Sequence, residues 1–222
     1  MKLKPLAIAA LLACSAGAQA APIYWNTWSS TIAGSLAAPS GTIAVTFAGP
    51  AFGVASPYPS WAPSATFADG SIIDNGPVAA NGIMQLTGGT DHLNTVSFSV
   101  PVVDPVMAIW SLGQGGIDAK FVFAGLSPVF ISGGPSAEYG GVGITVAGDT
   151  VSGREANGTI QFKGTYSSIS WTNPVFENWY GFNVGIAEAA AVPEPESLPL
   201  LLAGLGLLGV AARRKAQEAS EA

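Results

Sequence analysis

Short runs with an apolar side chain at every second position recur along this chain, and that period specifies half-buried strands. Residues 42–47 place Ile43, Val45 and Phe47 on one face. Residues 95–100 do the same with Val96, Phe98 and Val100, and residues 158–163 and 168–172 repeat the pattern. The last clear run, 179–186, aligns Phe182, Val184 and Ile186. Weaker runs occupy 83–86, 106–111, 119–124, 129–132 and 143–147. Roughly ten short strands, each with one face to bury, predict an all-β fold of two antiparallel sheets packed face to face. A jelly-roll or another Greek-key sandwich is the first expectation and a closed barrel the second. No stretch before Pro195 carries a sustained helical period.

Turn chemistry punctuates the runs. Asp69-Gly70, Asn75-Gly76, Asn81-Gly82 and Asn157-Gly158 are dipeptides that supply positive φ in tight hairpins. Asn173-Pro174 marks another turn, so the runs ending at Thr172 and starting at Trp179 are expected to pair as neighbours, with Trp171 and Trp179 as core or strand-end aromatics. Residues 50–63 hold four prolines with Phe52, Tyr58 and Trp61, and read as an ordered loop over a sheet edge or a lid at one end of the sandwich.

The two ends differ from this middle. Lys2 and Lys4 precede an apolar stretch, and Ala18-Gln19-Ala20 forms a small-x-small cleavage site, so residues 1–20 read as a secretory signal and Ala21 as the mature N-terminus. Cys14 is the only cysteine and lies in that leader, within Leu11-Leu12-Ala13-Cys14, which also resembles a lipobox. With ordinary cleavage the mature protein has no disulfide. At the other end, Val192-Pro193-Glu194-Pro195 precedes an apolar run over 198–212, followed by Arg213-Arg214-Lys215. Fifteen helical residues reach about 22 Å against a hydrocarbon core of about 30 Å, so spanning requires snorkelling flanks or local thinning. The basic cluster would hold its end in the cytoplasm.

Those three parts, in that order, resemble the PEP-CTERM sorting signal of bacterial surface proteins. The resemblance covers residues 191–222: a motif at 192–196, a membrane segment at 198–212 and a basic tail at 213–222. It implies that an intramembrane peptidase, exosortase, recognises and cleaves near Val192, Pro193, Glu194 and Pro195, which are then a substrate site. The two prolines keep that backbone extended and open to a protease. The stretch 158–186 also resembles the last strands of ectodomains in this family, with no chemistry attached to it.

Between the ends, residues 21–190 are expected to form one domain. The segment 21–192 has three cations, Lys120, Arg154 and Lys163, against ten anions, leaving it near −7. Such a surface repels phosphate backbones and argues against nucleic-acid partners. His92 stands alone beside Asp91, with no Gly-x-Ser-x-Gly elbow in the chain. Transition-metal ligand spacing is missing, while Asp69, Asp74 and Asn75 offer oxygens for calcium or, more simply, serve turns. Glu138, Glu155 and Glu177 are the carboxylates that a glycoside hydrolase would use, but nothing in the sequence brings two of them together. The aromatic residues suit a core or a sugar-binding face equally, with Trp25, Trp28, Tyr58 and Trp61 the better candidates for exposure.

The expectation is therefore an exported, non-enzymatic surface or matrix protein, without catalytic residue, metal or cofactor. It is held briefly in the inner membrane and cut by exosortase. The resemblance links it to exopolysaccharide and biofilm. A glycan-binding module is the alternative, and an extracellular hydrolase a further one.

Overall fold

The structure, a computed structural model, describes residues 20–55 and 59–187. Cys14, Ala18, Tyr58, the motif Val192–Pro195, the apolar segment 198–212 and Arg213–Lys215 lie outside the described residues. Alternating apolar sequence and positive-φ glycines give sixteen strands: β1 Tyr24–Trp25, β2 Thr27–Trp28, β3 Ala33–Ala38, β4 Gly41–Ala48, β5 Ala51–Ala55, β6 Ile83–Leu86, β7 Thr90–Val103, β8 Val106–Leu112, β9 Ala119–Val122, β10 Val129–Gly134, β11 Val142–Gly143, β12 Thr145–Ala147, β13 Thr150–Gly153, β14 Ala156–Gln161, β15 Thr165–Asn173 and β16 Tyr180–Ile186. One four-residue helix, α1, spans Ser64–Phe67.

Two sheets result. The first runs β10-β14-β8-β16-β6-β5, with β1 added to β16 and β11 to β14; the second runs β12-β13-β9-β15-β7-β4-β3-β2. All pairings are antiparallel except β11 with β14. The chain crosses between sheets repeatedly, so many spatial neighbours are not consecutive. The expected all-β architecture of two antiparallel sheets is the one observed.

The inner faces meet in one aromatic-rich core. Phe182 of the first sheet lies edge-on to Trp28 at 5.8 Å and to Trp171 at 5.0 Å, and 5.6 Å from Phe47, all three on the second sheet. Such pairings add favourable quadrupole geometry to the burial of large apolar area. Ile43, Val45 and Phe47 are buried as the alternation requires, as are Val96 and Phe98. Val100 is exposed, because β7 bulges there: Ser97 and Val102 pair with Ser168 and Tyr166, leaving β7 residues between them unmatched.

Three strands depart from the half-buried pattern. Every residue of β8, β14 and β16 is buried. A cover built from residues 59–82 lies on the outer face of the first sheet and creates a second apolar cluster. Trp61, Phe67 and Ile73 of the cover pack there with Val106, Ala108 and Trp110 of β8. The Thr159 hydroxyl donates to the Phe67 carbonyl at 2.8 Å, and Thr66 Oγ1 donates to the Pro135 carbonyl at 2.7 Å. Asn183 secures the assembly from β16: its amide lies within hydrogen-bonding reach of the carbonyls of Asn26, Asn81 and Gly82.

Several local expectations are corrected. Of the described residues in 50–63, Ala51–Ala55 form edge strand β5 and 59–63 begin the cover, which lies over a sheet face and not across one end. Strands β15 and β16 do not pair; they belong to opposite sheets, and Trp171 meets Phe182 across the core. Asn157-Gly158 forms no hairpin turn, since it lies inside β14. His92, unassigned to any element from the sequence, is an exposed residue of strand β7.

Candidate functional site

Strand β8 begins the site. Opposite Asn157 alone it places two residues, Trp110 and Ser111, because β14 pairs Ala156 with Leu112 and Gly158 with Ile109. Ser111 takes up the extra length with φ 53°. Bulges of this kind bend a strand and re-aim its side chains. The buried Asn157 holds the bulge: Oδ1 accepts the Ser111 N–H at 2.8 Å, while Nδ2 donates to the Gly140 carbonyl at 3.1 Å.

The bulge turns the Ser111 hydroxyl toward Glu155, to whose Oε2 it donates at 2.7 Å. Glu155 itself has φ 53°. Positive φ in a residue with a side chain costs on the order of 1–3 kcal/mol and persists only where the surroundings enforce it. Two of the three such residues among the described ones, Ser111 and Glu155, thus sit side by side. The third, Asp104, accepts the Gly164 N–H at 2.7 Å in a turn elsewhere.

Glu177 enters from the segment between β15 and β16. It is 3% exposed, and its Oε2 accepts the Gly113 N–H at 2.7 Å. Gly113 is required here: its φ is 82°, and a Cβ would stand 2.0 Å from the Gly153 carbonyl oxygen. Burial is the main force on Glu177. It raises the carboxyl from 4.5 to about 8, against the Gly113 bond and with help from the Glu155 charge. A neutral carboxylic acid and a second carboxyl therefore share one open cleft of about 230 Å³, lined also by Ser111, Gln114, Tyr139, Asn178 and Trp179. Burial also raises the hydroxyl of neighbouring Tyr180 above the usual tyrosine range.

Aromatic rings form the wall. Trp179 lies 4.8 Å from buried Trp110, and Tyr139 lies 5.3 Å from Trp110 and 6.1 Å from Trp179. Tyr139 is 52% exposed, so its ring borders solvent while Trp110 backs it from below. Basic side chains do not line the cleft. Arg154, adjacent in sequence, points its guanidinium to Asp118 through bonds of 2.7 and 2.9 Å. A larger cleft of about 420 Å³, lined by Trp61, Ala62, Ser64 and Asn75–Ala79, has no titratable group. The chemistry is concentrated in the smaller one.

The other sequence candidates lie elsewhere. Glu138 accepts a bond from Ser60 and joins the turn after β10 to the cover. Asp69 organises its own turn: desolvation opposes ionisation, but bonds from the Ser71 hydroxyl and the N–H groups of Ile73, Ile72 and Ser71 bring it down to about 2. Asn75 exchanges bonds with the Ile23 backbone at 2.7 and 3.0 Å. Asp69 and Asn75 thus have structural partners, and among the described residues no three metal-ligating side chains converge. Trp25, Trp28 and Trp61 are 7, 6 and 4% exposed, which corrects their reading as exposed aromatics. Trp25 and Trp61 are buried because the N-terminal strands and the cover add a second apolar layer, and Trp28 because it faces the core between the sheets. The exposed wall is supplied instead by Tyr139 and by the partly buried Trp179. Sequence reasoning missed Ser111 and Tyr139, since no residue-level pattern announces a bulge on an otherwise apolar strand.

Ala21, the expected mature N-terminus, is tied to the cover: its N–H donates to Ile72 at 3.0 Å and its carbonyl accepts from Asp74 at 3.0 Å. Among the described residues no helix is long and apolar enough to cross a membrane. Neither a curated protein nor a solved structure matches the chain. The model of the PEP-CTERM protein-sorting motif matches residues 191–215. That motif supports an exported, exosortase-targeted protein with a membrane-anchored precursor. The chain is thus a carrier of the PEP-CTERM sorting motif, with an all-β body ahead of it.

Proposed function

We propose that the mature protein is a non-enzymatic, adhesive component of the cell surface or extracellular matrix that holds exopolysaccharide in the Glu155–Glu177 cleft. After cleavage near Val192–Pro195 it passes from the inner membrane to the envelope or matrix of a biofilm. One observation carries this reading: an aromatic wall of Tyr139 and Trp179 stands beside two carboxyl groups in an open cleft. Flat apolar faces beside a few oriented polar groups form the usual composition of a small-ligand site. The test is retention of the full-length chain, in mild detergent, on immobilised polysaccharides. Trp179→Ala is expected to abolish retention, while equal retention of the variant rejects the cleft as the binding site.

A second reading has its own support. A neutral Glu177 facing Glu155 also matches the acid and base of glycoside hydrolysis. Release of new reducing ends from a defined polysaccharide, lost in Glu177→Gln, would favour it over the adhesive reading.

A further inference from the structure

We infer that the cleft selects saccharides bearing a free ammonium group, as in deacetylated amino sugars, over neutral or acidic ones. This rests on the glycan reading of the same cleft and adds its ligand class.

Three features of the lining point this way. First, charge is uncompensated. Glu155 and Glu177 both line the cleft, and no lysine, arginine or histidine does. Of the described cations, Arg154 is committed to Asp118 and Lys163 to Asp104. A uronate would set a like charge beside the Glu155 carboxylate, whereas an ammonium brings the missing opposite charge.

Second, the two carboxyl groups retain acceptor capacity. The Ser111 hydroxyl already donates to Glu155, and the Asn178 amide donates to Gln114 Oε1 at 3.4 Å. Each carboxyl has one oxygen occupied by a protein donor, Glu155 by Ser111 and Glu177 by Gly113. An ammonium carries three donors and no acceptor, which complements paired carboxyl oxygens better than a hydroxyl or acetamido group does.

Third, the wall offers π faces. Trp179 and Tyr139 border the cleft with their rings 6.1 Å apart. Tryptophan and tyrosine faces attract a cation within about 6 Å of the ring centroid, most strongly where water is partly excluded. The remaining titratable group packed against Glu177 is Tyr180, whose hydroxyl is buried and lies 2.5 Å from the Asn173 amide. It adds no positive charge.

The experiment compares two hexasaccharides of equal length, one of glucosamine and one of N-acetylglucosamine, titrated at pH 7 into the full-length chain in mild detergent. The glucosamine hexamer is expected to bind at least tenfold more tightly. Glu155→Gln is expected to reduce that ratio below threefold. Glu177→Gln, also isosteric, is the second variant; because Glu177 is neutral at pH 7, it is expected to lower the ratio less than Glu155→Gln does. Because the protein is acidic overall, Asp91→Asn on strand β7 is the control for bulk attraction and is expected to keep the full ratio. Equal affinity for both hexamers, with binding still lost in Trp179→Ala, overturns the ammonium preference and leaves the glycan cleft standing. Binding of neither hexamer overturns both. An equal fall of the ratio in Asp91→Asn assigns the preference to net charge and also overturns the inference.

Discussion

Glu177 makes the stability of the fold depend on pH in a direction opposite to that of most carboxylates. In the unfolded chain its carboxyl titrates near the ordinary 4.5, and in the cleft it titrates near 8. Between those values the folded protein retains a proton that the unfolded chain has released. Stability therefore falls as pH rises through this window, by about 1.4 kcal/mol per pH unit, and levels off above about 8. Over the whole interval the loss is at most about 5 kcal/mol, and between pH 6 and 8 it is about 2 kcal/mol. Glu177→Gln keeps the size and the acceptor for Gly113 but holds no titrating proton. All other groups affect both proteins alike, so the difference between them isolates this carboxyl. The assay is denaturant unfolding followed by tryptophan fluorescence at pH 5, 6, 7, 8 and 9. Wild type is expected to lose stability relative to the variant across the window and to run parallel above it. Parallel curves throughout would refute the claim that the cleft withholds this carboxyl from water.

Two other outcomes follow from the fold and the motif. Phe182 is fully buried among Trp28, Phe47 and Trp171, so Phe182→Ala is expected to cost about 3–5 kcal/mol, measured as a lower denaturation midpoint with an unchanged m-value. Replacing Pro193, Glu194 and Pro195 with alanines is expected to leave residues 213–222 attached to membrane-fraction protein, as intact-mass spectrometry would show. Normal processing of that variant would remove the motif from the cleavage step.

Much of the sandwich was legible because alternation is a direct consequence of strand geometry. Ile43, Val45 and Phe47 could be assigned to one face without any tertiary information, and β6 was read to its terminal residues. The central strands were harder. In β16 the apolar residues Phe182 and Val184 face the inner core, whereas the alternate positions are Gly181, Asn183 and Gly185. These small or polar residues read as solvent-facing, yet Gly185 lies under Ile23 and Trp25, Gly181 lies against Ile83, and Asn183 binds the Asn26, Asn81 and Gly82 carbonyls. No sequence pattern in 59–82 states that it lies on a sheet face, since its short helix and bends derive their order from contacts with β8, β10 and β14. The site was hidden for a related reason. Glu155 and Glu177 were recognisable as carboxylates, but they are twenty-two positions apart, and a bulge at Ser111 together with the entry into β16 brings them together. Pairing over such separations is set by topology, which composition does not encode. Trp61 misled for the opposite reason: its Pro-rich neighbours suggested exposure, while its ring sits edge-on to Phe67 at 5.0 Å.

The pairing of Tyr24 with Ile186 has a consequence for biogenesis. The first strand after the expected leader finds its partner in the last strand of the body. Neither sheet order can be completed until nearly the whole polypeptide has emerged on the far side of the membrane. Translocation that threads the amino end first must deliver β16 before the molecule can close, so the chain stays pliable for the transporter until late. Five residues separate Ile186 from Val192, and the six steps between them reach at most about 22 Å when fully stretched. A peptidase acting at the motif would therefore work directly beneath the folded body, and the clearance there would limit how soon the protein could leave the bilayer.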